Sequence, residues 1–180
     1  MTMEARDSNH IVFRRLNQND FDSLCDYLYK LSHETKKRFG PHSFDRQAIW
    51  DYYTHEENLI GYIGIDIQTN EIIAYSLIKI GYLEHDSFRL RSYGMALDNK
   101  TDCTFAPSVA DDWQGCGVGN KMFQFILSEL KNLHVKRIIL WGGVQKDNHN
   151  AVNYYKRNDF KILGQFTYNG ENYDMAFDID

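Results

Sequence analysis

The sequence predicts an α/β (α+β) chain with elements in the order β-α-α-β-β-β-α-β-α-β-β. Three observations carry that prediction. Apolar, β-branched runs of strand length recur, among them residues 11–16, 59–67, 71–83 and 137–141. Apolar residues at helical spacing separate some of these runs, for example Phe21, Leu24, Cys25, Leu28 and Leu31. A glycine-rich turn, Gln114-Gly115-Cys116-Gly117-Val118-Gly119, joins a strand-like run to a second amphipathic helix.

Taken in order, residues 11–16 read as the first strand. Asp20 is placed to cap the helix that follows. Residues 32–43 are a polar connection, with the basic triplet Lys36-Lys37-Arg38 as a solvated helix end. A second helix fits residues 44–57, with Asp45 near its start. Two strands follow at 59–67 and 71–83, and the polar break Gln68-Thr69-Asn70 between them is a hairpin signal. The periodicity then gives way over 84–102, which reads as a long solvated loop rich in titratable groups. A strand at 104–110 leads into the glycine-rich turn. The helix after it carries Val118, Met122, Phe123, Phe125, Ile126, Leu127, Leu130 and Leu133 on one broad face. A short strand at 137–141 precedes a last helix, and strands at 160–168 and 173–177 close the chain as a hairpin across Asn169-Gly170.

Composition narrows the class of protein. A chain of 180 residues has the length of one domain, 1–180, and its 43% hydrophobic content suits a globular fold. A net charge of -5 argues against a nonspecific binder of nucleic acid. The three cysteines, Cys25, Cys103 and Cys116, have no metal-like spacing, so no metal is expected and reduced thiols point to a cytoplasmic protein. Residues 1–10 are polar and charged, without a signal region, and no apolar run approaches a membrane span.

Strand, glycine-rich turn and helix together make an anion cradle. The first amides of a helix have no partners inside it, and the helix dipole adds partial positive charge beside them. Spacing then selects among cradles. A dinucleotide fingerprint starting at Gly115 needs glycine where Asn120 stands, and a P-loop from the same residue fails at Asn120 and Met122. Gln114, Gly117 and Gly119 do fit Q/R-x-x-G-x-G/A. Downstream, the run from Asn148 through Ala151 and Tyr155 to Phe160 fits N-x-x-A-x-x-x-Y-x-x-x-G-F, except that Asp159 replaces the glycine. In that case Asn158 or Asp159 must supply the left-handed residue that ends the helix. On these two motifs the chain, from about residue 11 to 177, resembles the GNAT superfamily of acetyl-coenzyme A-dependent N-acetyltransferases. Cys116 is a further departure, since that position commonly carries Lys or Arg.

The resemblance implies a mixed, mostly antiparallel sheet flanked by helices, with acetyl-coenzyme A as cosubstrate. It assigns backbone groups of Val109 and Ala110 to the pantetheine arm. The amides of Gln114, Gly115, Cys116, Gly117, Val118, Gly119 and Asn120 go to the pyrophosphate. Asn148 contacts pantetheine, and Tyr155 protonates the leaving thiolate as general acid. A phenol with a pKa near ~10 is protonated at neutral pH and can make that transfer. The general base is open: Glu84, His85 and Asp98 have the chemistry, and deprotonation through water stands beside them. His42, Glu84 and His85 are the substrate-contact candidates, although the simpler reading of His42 is a surface histidine. The expected acceptor is a small-molecule or protein amine, transfer is direct within a ternary complex, and a homodimer is compatible with the sequence. Neither nucleic acid nor membrane is an expected partner. The alternative from another class is a noncatalytic acyl-coenzyme A-binding or regulatory module on the same fold.

Overall fold

The structure, a computed structural model, describes residues 10–180, so nearly all of the polar N-terminal stretch lies outside the described residues. Eight strands form one sheet in the order β1-β2-β3-β4-β5-β8-β6, with β7 paired to β8. These are β1 (Ile11–Arg15), β2 (Leu59–Asp66), β3 (Glu71–Ile80), β4 (Asp102–Val109), β5 (Arg137–Leu140), β6 (Val144–Gln145), β7 (Lys161–Thr167) and β8 (Glu171–Asp178). The β4–β5 pair is parallel, whereas β1–β2, β5–β8, β6–β8 and β7–β8 are antiparallel. Among the described residues the six α-helices are α1 (Phe21–Lys30), α2 (His33–Arg38), α3 (Arg46–His55), α4 (Glu84–Ser92), α5 (Val118–Asn132) and α6 (His149–Arg157).

Three elements add to the expected order. The polar connection contains α2, capped by the Ser32 hydroxyl on the Thr35 N–H. It has six residues, none buried, so no apolar period announces it. The basic triplet is its last turn, as expected. Residues 84–102, expected as a loop, begin with α4, whose buried side chains Asp86, Ser87 and Leu90 are mostly polar. A helix that buries acids and hydroxyls has no apolar stripe to read. The two-residue β6 is too short for any period.

Asp20 stands at the start of α1 but does not cap it with its side chain. Instead the carboxylate takes both Arg14 terminal nitrogens, at 2.6 and 2.7 Å, and the Asn17 N–H at 2.9 Å. Asp45 does cap α3, accepting from the Ala48 N–H at 2.9 Å.

The chain divides into two compact units. One holds the described residues up to Leu77, with Pro107–Ile126; its fully buried side chains include Leu24, Leu28, Ile49, Tyr62, Tyr75 and Ile126. The other holds Ile78–Ala106 and Leu127–Asp180, with Ile78, Leu90, Cys103, Phe105, Ile138 and Met175 inside. It contains a carboxylate network. Arg89 bonds Asp174 through Nε at 2.7 Å and Nη2 at 3.1 Å, and bonds Asp86 at 2.8 Å. The Tyr93 hydroxyl donates to Asp174 at 2.9 Å.

Candidate functional site

Pairing between β4 and β5 covers Asp102–Phe105, while β4 continues to Val109. Pro107, next on the same side of β4 as Phe105, has no N–H to extend a ladder. Ser108 fastens the end of β4 from its other face. Its hydroxyl donates to the Tyr75 carbonyl at 3.0 Å and lies 2.9 Å from the Tyr27 hydroxyl of α1. The Ala110 N–H is spent on the Ile73 carbonyl at 2.8 Å, and its own carbonyl accepts from Trp113. Val109 accepts from the Gln114 side chain at 3.1 Å, which folds the turn back on the strand.

A 3-10 turn, Asp111–Trp113, leads into the glycine-rich segment. Gly115 and Gly117 take φ of +76° and +81°, the left-handed region that costs a side chain most and glycine least. A Cβ built on either one meets nothing within 4 Å, so the space beside both glycines is open. The bond from Lys121 N–H to the Gly117 carbonyl, 3.1 Å, closes the first turn of α5. The amides of Gln114 and Cys116 make long turn bonds, at 3.3 and 3.4 Å, to Asp111 and Trp113. Val118 is buried at the head of the helix, and Cys116 is half-exposed.

The second motif falls on α6. Asn148 is its N-cap, with the side-chain oxygen accepting from Ala151 N–H at 3.3 Å. Val152 and Tyr155 are the buried residues of the helix, and Tyr155 is 8% exposed. The Tyr155 ring packs on Phe160, 5.3 Å between centroids, and edge-on to Tyr154 at 5.2 Å. Its hydroxyl makes no hydrogen bond among the described residues. Burial, and then the neighbouring Tyr154, push its pKa well above the ordinary phenol value, so it keeps its proton through the neutral range. Asp159 has φ +63° and is the left-handed residue that ends α6, while the Asn158 amide donates back to the Tyr154 carbonyl at 2.9 Å.

His42 is half-buried, which corrects the surface reading. Its Nδ1 lies 2.7 Å from the Ser43 carbonyl and so carries the proton, leaving Nε2 to accept from the Tyr75 hydroxyl at 2.9 Å. Tyr53 then donates to Tyr75 at 2.6 Å. Burial lowers the His42 pKa, against the pull of the Ser43 carbonyl, and the ring is neutral at pH 7. No motif announces this chain, because its members come from a loop, α3 and β3. Glu84 and His85 occupy the first turn of α4 and are exposed. Glu84 accepts from Ser87 at 3.4 Å, and His85 is 3.7 Å from Asp86. Asp98 accepts from the Lys100 N–H at 2.7 Å and shapes the turn before β4. Among the described residues, no three or more His, Cys, Asp or Glu are grouped to hold a metal ion, and no helix is long and apolar enough to cross a membrane.

The acetyltransferase (GNAT) family model matches residues 20–160. No curated protein matches the sequence. The fold resembles that of the ribosomal-protein-S5-alanine acetyltransferase from Vibrio fischeri, with TM-score 0.73, 12% identity, and 99% of this chain and 98% of that one covered. A GNAT-family acetyltransferase from Streptococcus pneumoniae gives TM-score 0.69 at 16% identity, covering 94% and 99%. An aminoglycoside acetyltransferase in complex with coenzyme A gives 0.68 at 19%, covering 93% and 94%.

Proposed function

The chain belongs to the acetyltransferase (GNAT) family, and from that premise we propose that it carries an acetyl group from acetyl-coenzyme A directly to a primary amine in a ternary complex, with Tyr155 as general acid. It is an N-acetyltransferase with acetyl-coenzyme A as cosubstrate. The observation that carries the finer reading is the turn before α5. Two left-handed glycines with open space beside them stand at the head of a 15-residue helix, which suits a pyrophosphate. The Val109 N–H, on the β4 edge opposite the one Ala110 uses, is the donor best placed on this strand for the thioester arm or its carbonyl. Asn148 spends its side-chain oxygen on the helix cap, which leaves its amide NH2 for pantetheine. Tyr155 supplies a proton that no hydrogen bond to the described residues holds back.

The solved relatives act on acceptors as different as a ribosomal-protein alanine and an aminoglycoside, so the shared fold does not choose the amine. The test is a panel containing alanyl peptides, aminoglycosides and simple amines, read by thiol release from acetyl-coenzyme A. Saturation with acetyl-coenzyme A at ~100 times its dissociation constant should stabilise the fold by about 2.7 kcal/mol. No thermal shift at millimolar acetyl-coenzyme A sinks the assignment of the cradle.

Two glycine variants test the cradle itself. Gly117→Val forces a β-branched side chain to positive φ, so both stability and cofactor affinity should fall. Gly119→Val lies inside α5, where valine is no worse a helix former than glycine. Its melting temperature should stay near wild type while acetyl-coenzyme A affinity drops roughly tenfold or more, measured by calorimetric titration. Unchanged affinity in both folded variants would move the pyrophosphate elsewhere.

A further inference from the structure

Asp111 lies outside both motifs, yet its carboxylate is heavily bonded at the entry to the cradle. Its oxygens accept from the Ser32 N–H at 2.8 Å, the Ser32 hydroxyl at 2.7 Å and the Thr35 hydroxyl at 2.6 Å. Ser32 is also the N-cap of α2. Asp111 therefore ties the first residue of the 3-10 turn to the first turn of another helix.

From Asp111 onward each step of the turn is hung on the one before. Its carbonyl accepts from Gln114 at 3.3 Å, and the carbonyl of the buried Trp113 accepts from Cys116 at 3.4 Å. On the other side, α2 has six residues and buries none of them. So short a helix has little stability of its own and depends on its caps and clamps. Burial works to raise the Asp111 pKa, but the bonds from Thr35 and Ser32 outweigh it and keep the group ionised.

We propose that Asp111 is a positioning residue that fixes the entry of the cofactor cradle against α2, so that cofactor occupancy and order in α2 are coupled. The inference rests on reading 114–119 as the acetyl-coenzyme A loop. Coupling of this kind is reciprocal: whatever cofactor binding adds to the order of α2, loss of the clamp removes from cofactor affinity. The carboxylate is taken up by Ser32 and Thr35, so its loss should raise Kd and KM for acetyl-coenzyme A and leave kcat nearly unchanged.

The experiment compares wild type, Asp111→Ala, Asp111→Asn and Thr35→Val, with acetyl-coenzyme A as the probe. Asp111→Ala should raise Kd about tenfold, and Asp111→Asn, which keeps an acceptor oxygen, should recover most of that. Thr35→Val breaks the clamp from the α2 side without touching the cradle, and should weaken binding in the same direction. Added to Asp111→Ala, it should weaken binding no further. In wild type, acetyl-coenzyme A should slow hydrogen exchange of the α2 amides severalfold, and in folded Asp111→Ala that slowing should vanish. Asp111→Ala binding within twofold of wild type overturns the proposal, as does α2 exchange indifferent to bound cofactor in wild type. Wild type that binds no acetyl-coenzyme A would instead overturn the reading of the cradle, and this proposal with it.

Discussion

Exchanging Arg89 for methionine is expected to lower the unfolding free energy by about 3–5 kcal/mol, the cost of leaving a buried charge without its partner. Asp174 is 1% exposed on β8 and meets Arg89 through two guanidinium nitrogens. Asp86, 6% exposed, leans on the same guanidinium. Methionine keeps a long apolar stem near Phe166, whose ring centre lies 3.8 Å from the guanidinium carbon, so packing is partly retained while the charge is lost. For a chain of this length the melting temperature should drop by very roughly 6–20 °C. Distance alone would not predict this. Lys30 and Glu71 meet at 2.6 Å, but their side chains are 68% and 55% exposed. Solvent screens that pair, and Lys30→Ala should shift the melting temperature by no more than about 2–4 °C. Urea titrations of both variants decide the matter. An Arg89→Met protein within 1 kcal/mol of wild type would mean that water reaches Asp174, ~1 kcal/mol being the ceiling for a solvated pair.

The same network explains where sequence reading stopped. Strands and helices with an apolar face were legible: β2 and β3 through their β-branched runs, α1 and α5 through their stripes. Both hairpin breaks are turns of positive φ, with Asn70 at +57° and Asn169-Gly170 at +50° and +115°. Helix α4 is not legible because its inward residues include Asp86 and Ser87, and the Arg89 that bonds Asp86 also reaches Asp174, 85 residues along the chain. Glycine spacing marks the cradle turn, and the structure adds the left-handed conformation that makes Gly115 and Gly117 necessary. Asp111 was invisible for the opposite reason. Its role lies in bonds to Ser32 and Thr35, 79 and 76 residues away, and no local pattern encodes those. His42 was misjudged on similar grounds, since proline beside it suggests an exposed loop, while Tyr75 and Tyr53 reach it from other elements.

Tyr155→Phe should lower the turnover rate by roughly 10²–10⁴-fold, or about 3–5 kcal/mol of transition-state stabilisation, if the hydroxyl protonates the departing thiolate. The substitution is unusually clean here. The ring contacts with Phe160 and Tyr154 belong to the ring and survive in phenylalanine. The hydroxyl has no hydrogen-bond partner among the described residues, so its removal leaves none of them unsatisfied and stability should hold or rise slightly. Acetyl-coenzyme A affinity should change little, because the proton serves the leaving group and not the bound thioester. The pH profile gives a second, independent reading. Burial and Tyr154 hold the Tyr155 pKa above the ordinary ~10 of a phenol, so the acid form persists as pH rises. The rate should therefore show no basic limb from this residue up to about pH 10, and any limb below that must survive in Tyr155→Phe. Steady-state rates on the acceptor found by the amine panel, with Tyr154→Phe as the neighbouring control, carry the test. A Tyr155→Phe rate within twofold of wild type would remove the proton donor from this helix. A loss shared equally by Tyr154→Phe would assign the effect to the packing of the aromatic pair.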